Sequence, residues 1–259
     1  MPSSATSFRD YWLARSSSDD SLRIAAAGDI HVGTGSWRDV LTSFARLPET
    51  ADVLLLAGDL TETGHPVEAE LLADALSGVR IPKVAVLGNH DYHQDRQEEI
   101  ATVLEQSGVA VLEGDVFELT VGDARVGIAG VKGFGGGFPR AMLFEFGEPE
   151  MKAFVRHTRA SAARLESALA RLESDVSIAL LHYSPIEQTL IPDSIGMYPF
   201  LGSYFFGEVI DRCGVDLVVH GHAHDGSEKG TTPGGIPVRN AAMQVTGRPY
   251  VLYCIPGVE

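Results

Sequence analysis

The stretch DVLLLAGDL, residues 52–60, runs through five consecutive apolar residues and stops on Gly58-Asp59. An unbroken apolar run of that length, without polar alternation, fits a strand buried on both faces. The same design recurs in LRIAAAGDIH at 22–31, KVAVLGNHD at 83–91, SIALLHYSP at 177–185 and DLVVHGHAH at 216–224. Between the first three runs, residues near 36–46 and 66–77 read as amphipathic helices. Strand and helix alternate, which predicts a βαβαβ opening with parallel strands. A further helix is expected over 95–107, stopped by Gly108. One long helix is expected over 150–174, a stretch rich in Ala, Arg, Glu and Leu without Pro or Gly. Residues 111–131 alternate like strands about a hairpin turn in VGDARVG, and GIPVRNAAMQ (235–244) and RPYVLYCIPG (248–257) look like closing strands.

The 259 residues, 44% apolar and 21% charged, suffice for a globular domain with a sizeable core. No repeat, linker or low-complexity block interrupts 21–259, so one domain is expected behind a Ser-rich tail at 1–20 whose apolar patch is Tyr11–Leu13. A formal net charge of −15 argues against a surface that tracks a nucleic-acid polymer. An anionic small molecule stays compatible with it, because bound cations reverse the local sign. No apolar run approaches the roughly 20 residues of a membrane span, and the N-terminus lacks the apolar core of a secretory signal. A cytoplasmic location is therefore expected. Cys213 and Cys254 form no disulfide framework and no thiolate metal motif, and read as free buried thiols. The helix over 150–174 and the tail are the candidates for a homodimer contact.

In an open α/β sheet, ligands gather beyond the carboxyl ends of the strands. Bringing the five apolar runs side by side would assemble Asp29, His31, Asp59, Asn89, His90, His182, His222 and His224 in one crevice. These are oxygen and nitrogen donors without a thiolate, a set suited to Mn, Fe or Zn. They are too many for one tetrahedral ion and right for two, which clamp both oxygens of an in-line displacement when about 3.5–4 Å apart. Read singly, Asp29 or His31 is as well explained as a cap, and Asn89 as a turn residue.

Taken in order, D-x-H (Asp29, His31), G-D (Gly58, Asp59), G-N-H-D (Gly88–Asp91), the lone His182 and G-H-x-H (Gly221–His224) resemble the calcineurin-like metallophosphoesterases. The resemblance implies a four-layer α/β sandwich, two mixed sheets face to face with helices outside. It further implies that Asp29, His31 and His224 ligate one metal, that Asn89, His182 and His222 ligate a second, and that Asp59 bridges them. A water shared by the two ions would be the nucleophile. His90 would contact the phosphate and protonate the leaving oxygen, with Asp91 orienting its ring. His220 is expected to pack or to support its neighbours.

The segment GDLTETGHP, 58–66, is similar to that of class III cyclic nucleotide phosphodiesterases. Protein phosphatases of the family instead carry V-D-R-G after G-D, where this chain has Thr61–Gly64. The expectation is thus hydrolysis of a small, nucleotide-like phosphodiester. A phosphomonoesterase, a pyrophosphatase for nucleoside-diphosphate-linked compounds, and a retired metal-binding scaffold stand as alternatives. Asn89, His90, His93 and Tyr183 are the expected substrate contacts, with Tyr198 and Phe200 as candidates for stacking a base. VKGFGGGFPR, 131–140, fails G-x-G-x-x-G and reads as a flexible loop from which Lys132 or Arg140 reaches a phosphate.

Overall fold

The computed structural model describes residues 21–33, 37–192 and 194–256, so the tail at 1–20 and its Tyr11–Leu13 patch lie outside the described residues. The strands are β1 (Leu22–Ala27), β2 (Val53–Ala57), β3 (Lys83–Val86), β4 (Val109–Val111), β5 (Asp115–Val121), β6 (Ala124–Val131), β7 (Gly137–Phe138), β8 (Ala141–Met142), β9 (Val176–Leu181), β10 (Leu217–His220), β11 (Lys229–Thr231), β12 (Pro237–Asn240) and β13 (Val251–Ile255). They form a sheet of order β13-β1-β2-β3-β4, a second of order β11-β12-β10-β9-β6-β5, and the small pair β7-β8. In the first sheet β1 to β4 run parallel and β13 closes the edge antiparallel. In the second β12, β10, β9 and β6 run parallel, with β11 and β5 antiparallel at the edges. Both large sheets are mixed, as expected.

The continuous apolar runs follow from burial on two faces. In β1 and β2, Ile24, Ala26, Val53 and Leu55 face the second sheet, where they meet Ile128, Ile178, Leu180 and Val219. Ala25, Ala27, Leu54 and Leu56 face outward, under Leu72 and Leu76 of the helix Pro66–Leu76 and Ile100 and Leu104 of the helix Gln97–Gln106. Ala129, Leu181 and Val218 face out of the second sheet against Leu165 of the helix Pro149–Leu169 and Phe206 and Ile210 of the helix Tyr204–Cys213. Helix, sheet, sheet and helix thus stack in four layers.

Several expectations are corrected. The long helix ends at Leu169, five residues early, because Leu172 folds back onto the core of the second sheet and the chain must turn to enter β9. The edge strand β11 adds to the expected set and has no apolar run to mark it. The thiols of Cys213 and Cys254 are exposed, not buried: each falls on the outward phase of its element, one at a helix end and one on an edge strand. Residues 133–138 are largely buried and tied to distant backbone, not a free loop: Gly136 N–H donates to the Pro199 carbonyl and Gly137 N–H to that of Gly202. No described helix is long and apolar enough to cross a membrane.

Candidate metal centre

The five strand ends bring all the predicted side chains together. The loops after β1 and β2 continue side by side: Asp29 N–H donates to the Gly58 carbonyl, His31 N–H to that of Asp59 and Val32 N–H to that of Leu60. Asp29, His31, Asp59 and His222 all have φ between 49° and 67°. Left-handed backbone is uncommon for residues with a Cβ and persists where surrounding bonds over-determine it. Each turn aims a side chain into the crevice. The flanking glycines are needed for closeness: a Cβ on Gly88 would collide with the Asp59 carboxylate and backbone, and one on Gly221 with the Asp29 carboxylate.

Three donor clusters result: two share Asp59, and a third joins His31, Glu62 and His90. Asp29, His31, Asp59 and His224 offer ligand atoms within 4.8 Å of one another, as do Asp59, His182 and His222. Asp59 belongs to both. Its Oδ1 lies 3.3 Å from His182 Nε2, and its Oδ2 lies 3.9 Å from His31 Nε2. The amide oxygen of Asn89 sits 2.9 Å from His182 Nε2, on the second cluster. His224 Nε2 lies 2.8 Å from Asp29 Oδ1, and the His222 N–H donates to the same carboxylate. Both ring nitrogens of His31 are buried without a hydrogen bond of sound geometry, although a Glu62 carboxylate oxygen comes within 2.9 Å of Nδ1. A buried imidazole left unsatisfied between two carboxylates fits a cation as its missing partner.

The electrostatics differ between the clusters that share Asp59, and burial lowers His31 within the first of them. Burial, then the charge of Asp59, raises Asp29 to about 6 against the hydrogen bond from His224. Burial works to lower His224, but Asp29 and Asp59 outweigh it and leave the ring above its ordinary value. Burial lowers His182 strongly, and holds His222 at about 3 with His182 adding to the effect. Neutral imidazole is the ligating form.

Around the clusters, His90 N–H donates to Asp59 Oδ1, and its ring packs edge-on to His31 at 4.4 Å between centroids. His90 Nδ1 lies 2.8 Å from the Glu62 carbonyl oxygen, so that carbonyl, not Asp91, orients the ring. The oxygens of Asp91 are taken by the N–H groups of Gly88, Thr61 and Leu60 and the Thr61 hydroxyl. Asp91 ties the loop after β3 to the loop after β2. Burial, then Asp59, raises it to about 6.

His93 is exposed and packs against His90 at 4.2 Å. Tyr183 lies against His222 at 4.4 Å. His220 lies between the Gly221 carbonyl and the Thr189 hydroxyl, supporting the turn as expected. Tyr198 is 1% exposed and cannot stack a base; Phe200 is 57% exposed, and its carbonyl sits 3.0 Å from His222 Nε2. Arg140 pairs with Glu187. Glu62 is the residue that sequence reasoning missed; it lies three positions after Asp59 with no spacing rule to mark it.

Among solved structures, the phosphopantetheinyl hydrolase PptH from Mycobacterium tuberculosis is similar with a TM-score of 0.64 at 15% identity, covering 87% of this chain and 90% of that one. TT1561 of Thermus thermophilus gives 0.55 at 17% identity, covering 91% and 98%. Purple acid phosphatase PPD1 from yellow lupin gives 0.51 at 15% identity, covering 85% of this chain but 44% of that one. At these identities the likeness speaks to the fold. A search of curated protein sequences returns no match. Residues 22–226 match the calcineurin-like phosphoesterase family, which takes in every strand-end donor described above, and the chain belongs to that family.

Proposed function

We propose that the chain hydrolyses a small, nucleotide-like phosphodiester at a centre holding two divalent cations. Asp29, His31 and His224 would hold one, Asn89, His182 and His222 the other, with Asp59 between them. The observation that carries this reading is the position of Asp59, a buried carboxylate common to two otherwise separate donor clusters. A cation pair held there would supply charge neutralisation at the phosphoryl oxygens and a nucleophilic water near neutral pH. Donors without thiolate favour Mn, Fe or Zn.

His90 acts on the other side of the reaction. With Nδ1–H donating to the Glu62 carbonyl, the ring presents Nε2 outward, placed to give a proton to the departing oxygen. His93, packed on His90, and Tyr183, packed on His222, flank the substrate. The segment 58–66 carries no arginine to meet the second charge of a monoester, which favours a diester.

The test is turnover of a bis-aryl phosphodiester and the matching monoester, by metal-stripped protein and after Mn addition. Metal-dependent turnover that favours the diester is expected. Preference for the monoester would overturn the diester assignment. No turnover of either with cations bound would make the chain a binding module.

A further inference from the structure

Lys132, just past the end of β6, is 8% exposed, yet its ammonium faces rings rather than an anion. Nζ lies 4.6 Å from the Tyr92 ring centroid, 5.1 Å from that of Phe134 and 5.3 Å from that of Tyr183. The acidic group that bears on it most is Glu113, which gives one oxygen to Arg164 and the other to the backbone N–H of Lys132. Among the described residues the ammonium makes no ion pair. Lysines are almost never buried unpaired, and ring faces replace only part of the lost hydration. Burial accordingly holds Lys132 below the ordinary lysine range, against the pull of Glu113 and Asp59.

The cage adjoins the candidate metal centre. The Lys132 carbonyl accepts from the N–H groups of both His182 and Tyr183. Tyr183 is a wall shared with His222. Burial keeps both phenols protonated, Tyr92 at about 12 and Tyr183 higher still, so each remains a hydrogen-bond donor. The reacting phosphoryl group is already served by the cation-holding clusters and His90. The Lys132 charge lies one aromatic ring away from them.

We propose that Lys132, with the rings of Tyr92, Phe134 and Tyr183, forms an anion subsite for a second negatively charged group of the substrate. This inference rests on the phosphoester reading above and narrows it. The substrate class becomes a phosphoester that carries a further phosphate beside the reacting one, as nucleoside-diphosphate-linked compounds do.

The experiment titrates Mn-loaded full-length chain with AMP and with ADP by calorimetry, in the native sequence and in Lys132→Met. The native chain should bind ADP at least about tenfold more tightly than AMP. Lys132→Met should weaken ADP about ten- to hundredfold, the range for a hydrogen bond to a charged group, and AMP by less than about threefold. Lys132→Arg should recover most of the ADP affinity. Equal losses for both nucleotides, or none, would assign Lys132 to packing. Should Lys132→Met melt early, Lys132→Gln replaces it in the same comparison, and an unchanged ADP-to-AMP ratio contradicts the subsite. Binding needs no turnover, so failure of the hydrolase reading and failure of the subsite are told apart.

Discussion

The two halves of the crevice are built differently. The first sheet supplies Asp29, Asp59 and Asp91, carboxylates buried together, two of them on left-handed backbone. The second supplies His182, His220 and His222, imidazoles that burial keeps neutral, and His224, which Asp29 and Asp59 lift above its ordinary value. One half crowds carboxylates whose mutual charge a cation would relieve; the other offers ligands largely in the binding form. Charge demand and ligand readiness come largely from opposite sheets, His31 and His224 being the exceptions, and the space between the sheets is where a cation would satisfy both.

The sharpest way to break that comparison is at Asp59, the group on which both halves converge. Asp59→Ala should abolish metal-dependent turnover, whereas His220→Phe, in the neutral half but outside both clusters, should retain it at a stability cost of about 1–3 kcal/mol. Equal activity losses would remove the distinction. His90→Gln should lower turnover about 10²- to 10⁴-fold with cations still bound, since one general acid is worth that much. Loss of metal from this variant, measured by elemental analysis, would make His90 a ligand instead.

The two clusters that share Asp59 should also separate by pH. Asp29, at about 6, and His224, above its ordinary value, take up protons as the solution turns acid, and an incoming cation must displace them. Cation affinity of the stripped chain should therefore fall as pH drops through 6. His182 and His222 are neutral across that window and add nothing to the loss. A titration of Mn affinity between pH 5 and 8 that stays flat would contradict the division. Asp91→Asn, the smallest effect, should cost about 1–3 kcal/mol by leaving buried N–H donors of Gly88 and Thr61 poorly matched. The pH optimum of turnover should not move; a moved optimum would mean that Asp91 acts through His90.

Much of this was readable beforehand. Apolar runs without alternation marked the doubly buried strands, and the polar residues that ended each run marked the donors. What was hidden lies in the third dimension. Nothing in the types Asp29, His31, Asp59 and His222 announces φ near 50–70°, which arises only when neighbouring loops bond to each other. Asp91 beside His90 in sequence invites pairing, yet Asp91 points back into the loop after β2, and a carbonyl from Glu62 holds the ring. The glycines of 131–140 read as flexible because their contacts, the carbonyls of Pro199 and Gly202, come from more than sixty residues away. Lys132 stood out in sequence as a phosphate contact, but nothing there showed the three rings that close around it.

The most direct test of the central claim is the cation count. Stripped full-length chain titrated with Mn should take up two ions per chain, and Asp59→Ala should fail to hold both. Uptake of a single ion by the native chain, or two by the variant, would contradict a centre built around one shared carboxylate.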